Sequence, residues 1–160
     1  RDNQQWTPLH RAACDGNKAI LKHLLAAGAF LEARTSTRQT PLHVAAGSAK
    51  VGREEVIGLL LAAGADLEAR DENNRTPLHL AAAALEETRV HLLLKAGADP
   101  DARTNGQYIY TPRALAENKC IVGISMQRES VISMLKEAEN RKRKLEQEER
   151  QKVKRLKKKQ

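Results

Sequence analysis

Five histidines and two cysteines are the residues of this 160-residue chain best equipped for metal or acid–base chemistry. His10 and Cys14 stand four residues apart, the spacing that puts two ligands on one helical face, but no third ligand follows nearby to complete a zinc site. His10, His43 and His79 each follow a Thr-Pro-Leu triplet. Three histidines in one repeated sequence setting point to a repeated structural duty more than to one ligand cluster. His23 and His91 lie in Leu-rich segments and are expected on helix surfaces or partly packed. The chain contains no Gly-rich phosphate loop, nucleophile elbow, His-Glu-x-x-His motif or paired-carboxylate constellation, so no enzyme chemistry, metal or cofactor is expected.

The charge is uneven. Lys and Arg number 28 against 20 Asp and Glu, a net +8, but residues 136–160 carry 12 basic and 5 acidic side chains, a net +7 that leaves the first 135 residues at +1. Aromatics are scarce (Trp6, Phe30, Tyr108 and Tyr110), which argues against a sheet that stacks nucleobases. Cys14 and Cys120 are too few for a disulfide framework, and neither a signal peptide nor an 18-residue apolar stretch occurs. A reducing compartment, cytoplasm or nucleus, is expected. A start at Arg1 without Met suggests a processed chain or an excerpt of a longer one.

The elements that must position these residues recur. Thr7-Pro8-Leu9-His10-Arg11-Ala12-Ala13, Thr40-Pro41-Leu42-His43-Val44-Ala45-Ala46 and Thr76-Pro77-Leu78-His79-Leu80-Ala81-Ala82 are copies of one another, and a degraded copy starts at Thr111-Pro112. Thr before Pro reads as a helix start, because the hydroxyl caps free amides while Pro gives up one that had no partner. Ala-Ala lets that helix lie close to its neighbours. Leu24-Leu25, Leu60-Leu61 and Leu93-Leu94 then mark a second amphipathic helix, stopped by Gly28, Gly64 and Gly97. The basic period is 33, with three extra residues between the helices of copy two and two in the loop after copy three.

These residues closely resemble the ankyrin-repeat family, which implies an all-α solenoid of helix-turn-helix units with β-hairpin-like loops, here ending in an extended C-terminal helix. Repeats are expected at about 2–34, 35–70, 71–103 and 104–135, with a basic helical extension over 136–160. The resemblance also implies that His10, His43 and His79 hydrogen-bond backbone near the turns. Gln5, Arg38 and Asn74 occupy hairpin-tip positions where the family usually has Gly; since Arg tolerates the left-handed region poorly, the second tip is expected to be shifted. In copy four Ala114 replaces the His, and about six extra residues around Cys120 to Gln127 lengthen the inter-helix loop.

No Pro or Gly occurs from residue 124 onward, so the last helix should run from about Gln127 to at least Gln151. Glu137–Arg141, Glu139–Arg143, Glu146–Arg150 and Glu148–Lys152 are i,i+4 pairs in the favourable order, about 0.2–0.5 kcal/mol each. Leu135, Ala138, Lys142, Leu145, Glu149, Lys152 and Leu156 follow heptad spacing, yet three of the seven are charged, so a monomer is expected. Two basic clusters, Arg141-Lys142-Arg143-Lys144 and Lys152 through Lys154, Arg155, Lys157, Lys158 and Lys159, read as a solvated helix, a bipartite nuclear import signal, or a patch for nucleic acid or another acidic surface.

By resemblance the function is that of a non-catalytic adaptor that binds a protein partner through hairpin tips and the concave first-helix face. Carried over by position, the candidate contacts are Trp6, Asp15, Ser36, Gln39, Ser48, Glu72, Arg75, Tyr108 and Tyr110. Gly47, Ser48, Ala83 and Ala84 should leave a shallow groove. The rival readings are a tether that acts through the basic tail, contacting an import receptor, nucleic acid or an acidic surface, and a regulatory segment of a larger protein.

Overall fold

The computed structural model describes residues 3–48, 52–105, 109–118 and 125–157. Eight helices follow in order: α1 (Pro8–Asp15), α2 (Lys18–Ala26), α3 (Pro41–Gly47), α4 (Glu54–Ala62), α5 (Pro77–Ala84), α6 (Glu87–Lys95), α7 (Pro112–Asn118) and α8 (Ser125–Lys157). The architecture is all-helical: no strand occurs among the described residues. The first helices of each pair, α1, α3, α5 and α7, stack in one layer, and α2, α4, α6 and α8 stack in a second.

Each first helix starts where Thr-Pro places it. The hydroxyls of Thr7 and Thr40 accept from the amides of His10 and His43, and the imidazole Nδ1 accepts in return from the Thr amide, at 3.2 and 3.3 Å. The reciprocal bonds satisfy two amides that a bare helix start leaves open. Leu9, Leu42 and Leu78 are buried, as are the Ala-Ala pairs behind them. Each buried Leu contributes about 1.5–3 kcal/mol, and the alanines permit the close approach of neighbouring repeats.

The second helices bury Leu21, then Val56, Ile57 and Leu60, then Val90 and Leu93, and finally Val131 and Leu135. After α2, α4 and α6 the chain turns through Gly28, Gly64 and Gly97 at φ of 76°, 88° and 100°. The following amides then reach back to Leu24, Leu60 and Leu93, closing the last helical turn.

The second tip is not shifted. Arg38 has φ 60°, in line with Gln5 at 60° and Asn74 at 57°. Side chains from the segment before each tip hold it there: Arg34 Nη1 donates to the Arg38 carbonyl at 3.0 Å, as Arg70 Nη1 does to the Asn74 carbonyl at 3.0 Å. The expected shift weighed the intrinsic cost of a left-handed Arg without this clamp.

Arg89 is fully buried at the join between the second and third repeats. Its Nη1 donates to the carbonyls of Ala46 and Ser48, and Glu54 and Glu86 supply carboxylates 4.0 and 3.7 Å away. Burial lowers its pKa from the ordinary value, and the two carboxylates oppose that shift. Arg89 thus anchors the segment just before the extra residues of repeat two, part of which (49–51) lies outside the described residues.

α8 begins at Ser125 and is continuous to Lys157, so it contains the end of the fourth repeat and most of the expected extension. The body's hold on it extends past residue 135. Glu139 is buried and accepts from Arg113 Nε at 3.0 Å, and Lys142 reaches the loop after α6. The expected loop insertion over Cys120 to Gln127 lies largely outside the described residues; its last residues, Met126 and Gln127, are already helical.

Candidate functional site

Three backbone-closed tips line one edge of the solenoid. The amides of Thr35, Asp71 and Thr104 donate to the carbonyls of Gln39, Arg75 and Tyr110 at 3.0, 3.1 and 3.0 Å. Tips are also tied to each other: Ser36 N–H donates to Gln4 O, and Glu72 N–H to Thr37 O, both at 3.0 Å. These bonds fix the spacing of the tip side chains before any partner arrives.

The repeated histidines lock the array from beneath. Nε2 of His10, His43 and His79 donates to the carbonyls of Gln39, Arg75 and Tyr110 in the next repeat, at 3.0, 2.9 and 3.1 Å. A carbonyl can only accept, so Nε2 carries the proton, and Nδ1 accepts from the Thr amide and hydroxyl. The neutral imidazole fits and the charged one does not. Accordingly burial holds His43 below its ordinary pKa and pushes His79 down to about 4, each opposed in part by the carbonyl it donates to.

A second ladder was not anticipated. Arg34 Nη1 donates to Arg70 O at 2.5 Å, and Arg70 Nη1 to Arg103 O at 2.8 Å. Glu32 and Glu68 accept from the amides of Asp66 and Asp99 in the next repeat, at 3.0 and 2.8 Å. The signal was present as Leu31-Glu32-Ala33-Arg34 and Leu67-Glu68-Ala69-Arg70, a repeat within the repeat.

The candidate contact residues divide. Ser36 and Glu72 are exposed at their tips, and Asp15 is exposed at the end of α1. Trp6 is half-buried, its indole 6.0 Å from the His10 ring with the Arg11 guanidinium 5.0 Å above it. Gln39 and Tyr110 are half-buried and use their backbone groups to close tips and receive histidines. Ser48 is half-buried and gives its carbonyl to Arg89. Arg75 is held by Asp71 through Nε at 2.9 Å and Nη2 at 2.8 Å, which makes its side chain part of the turn. Tyr108 lies outside the described residues. Of the residues expected to leave a groove, Gly47 is exposed, Ser48, Ala83 and Ala84 are half-buried, and an added Cβ at Gly47 would stand 3.2 Å from the Leu80 Cβ.

The basic residues divide as well. Arg141, Lys144, Lys154 and Arg155 are exposed, and Arg143 is exposed but approaches Glu139 at 4.0 Å. Lys142 leaves the cluster: its Nζ is 2.5 Å from Asp99 Oδ1 and 3.5 Å from Asp101 Oδ2. Lys157 closes α8, and Lys158 and Lys159 lie outside the described residues. Among the described residues no group of three or more His, Cys, Asp or Glu side chains is placed to hold a metal ion, and no helix is long and apolar enough to cross a membrane.

A family model for ankyrin repeats, in three copies, matches residues 1–71 and 37–104. No curated protein matches the chain.

Proposed function

The chain belongs to the ankyrin-repeat family, and on that premise we propose that it is a non-catalytic adaptor whose partner protein docks across the hairpin tips. Ankyrin repeats are generally protein–protein interaction modules and are typically non-catalytic. The observation that carries the finer reading is the tip-to-tip hydrogen bonding. Ser36 and Glu72 spend their amides on the neighbouring tip and keep their side chains exposed, so ordering costs at the docking edge are met in the free protein. Trp6 supplies an amphipathic ring at the first tip, of the kind enriched among dominant interface residues.

The exposed part of α8 supports a second role on the same chain. Lys154 and Arg155 stand on a solvated helix beyond the body, a geometry suited to contact with an import receptor or another acidic surface, and it goes with a cytoplasmic or nuclear setting. Reversing charge or bulk at the tips, as in Ser36→Arg/Glu72→Arg, tests the adaptor reading: partner capture is lost under it, and retained if the tail alone binds.

A further inference from the structure

Beyond Lys142 the terminal helix leaves the body and carries an apolar stripe into solvent. Leu145 is 56% exposed, Val153 50% and Leu156 67%. All three are exposed large apolar residues, and Leu145 and Leu156 fall on the heptad seam whose earlier members, Leu135 and Ala138, already face the repeats. The outer seam is therefore Leu145, Glu149, Lys152 and Leu156.

Two charged positions out of four argue against a parallel dimer, in which Glu149 would meet Glu149 and Lys152 would meet Lys152. Reversing one helix changes every one of those pairings. Centred between Arg150 and Gln151, an antiparallel pair sets Leu145 against Leu156, Glu149 against Lys152, Lys152 against Glu149 and Leu156 against Leu145. One flank agrees, for Glu148 then faces Arg155 across the seam. All four seam layers and the Glu148–Arg155 flank are complementary, because residues 146–149 are acid-rich and residues 152–158 are basic, while on the other flank Glu146 lies beside Val153.

We propose that the outer half of α8 is a homodimerisation element that pairs antiparallel with the same segment of a second copy of this chain. Room exists for it. Where α8 diverges from the third repeat it walls an open cleft of about 610 Å³ whose lining includes Leu94, Pro100, Met134, Ala138 and Leu145, and Leu156 of the second copy arrives against Leu145. The seam from Leu145 to Leu156 spans about 16 Å along the helix, which places the two repeat arrays at opposite ends of the pair. Three turns with two Leu–Leu layers give a weak, reversible dimer, with a dissociation constant on the order of 10–100 μM.

Sedimentation equilibrium of the full chain tests this, with circular dichroism confirming that each variant folds. Wild type should shift toward the dimer mass as concentration rises from about 10 μM to about 1 mM. Glu149→Lys makes its charged layers Lys–Lys and Lys152→Glu makes them Glu–Glu; each should weaken association at least about tenfold. The double variant restores opposite charges in both antiparallel layers and should recover wild-type association, and Leu156→Asp should abolish it. A wild-type chain that stays monomeric throughout overturns the proposal. So does a dimer that survives Leu156→Asp, or a double variant that fails to recover.

Discussion

Nζ of Lys142 lies 2.5 Å from Oδ1 of Asp99, joining the terminal helix to the loop that ends the third repeat. The Asp99 oxygen also accepts from the Asp101 amide at 2.9 Å, so the carboxylate that shapes the loop is the one that receives the lysine. One residue of an apparent basic cluster is thereby a structural clasp.

Burial alone would raise the Asp99 pKa, but the Lys142 hydrogen bond, the Asp101 amide and the Lys142 charge hold it below its ordinary value. Lys142 likewise is lowered by burial, yet the bonds and charges of Asp99 and Asp101 leave it raised. A depressed carboxyl stabilises the fold above its unfolded pKa and loses that contribution as pH falls through the folded one; the raised lysine contributes below its unfolded pKa and loses it as pH rises through the folded one. Both side chains are partly exposed, so a double-mutant cycle with Lys142→Met and Asp99→Asn should return a coupling of about 0.5–1 kcal/mol near neutral pH, smaller in high salt. A coupling of zero would show that the clasp is ornamental.

Arg113 and Glu139 make a more buried contact. Glu139 is 4% exposed, and Arg113 stands where Leu9, Leu42 and Leu78 stand in the other repeats. Removing one partner leaves the other only a longer contact, Glu117 at 3.5 Å from Arg113 or Arg143 at 4.0 Å from Glu139, whereas replacing both with apolar groups leaves no buried charge at the contact. Glu139→Ala and Arg113→Leu should each destabilise by about 2 kcal/mol in urea unfolding, and Arg113→Leu/Glu139→Leu should lie within about 1 kcal/mol of wild type. If the double variant is as unstable as the sum of the singles, the pair is not a self-contained unit.

The histidine lock makes stability depend on acid. Below about pH 6.5 the unfolded chain binds protons that buried His43 and His79 refuse, so stability falls as pH drops; for His79 the loss runs on until pH is below its folded pKa of about 4. Charging that one ring in place would cost the fold on the order of 3 kcal/mol, a penalty absent at neutral pH and fully felt only below about pH 4. Thermal unfolding from pH 7 to 5 should show a falling midpoint, with a shallower slope in His79→Gln. A midpoint flat across that range contradicts the assigned tautomers.

Much of this was legible in the sequence for a definite reason. Thr-Pro, Ala-Ala and the Gly after the second helix are local devices, each acting within a few residues, and each formed the element its chemistry predicts. What escaped was pairwise and distant. Nothing in the neighbourhood of Arg38 announces that Arg34 will clamp its carbonyl, and nothing near Lys142 points 43 positions back to Asp99. The candidate contacts were projected as side chains, but at Gln39, Arg75 and Tyr110 the solenoid takes the carbonyl for the preceding histidine. His10, His43 and His79 each need such a carbonyl in the following repeat.

Under the adaptor proposal the tips, and not the tail, carry the partner. The direct measurement is quantitative capture of binding proteins by three forms of the folded chain: wild type, Ser36→Arg/Glu72→Arg, and a form with Lys154 and Arg155 changed to Gln. The account predicts a protein held equally by wild type and the tail variant and depleted at least about tenfold with the tip variant. A capture profile in which no protein is depleted by the tip substitutions would contradict it.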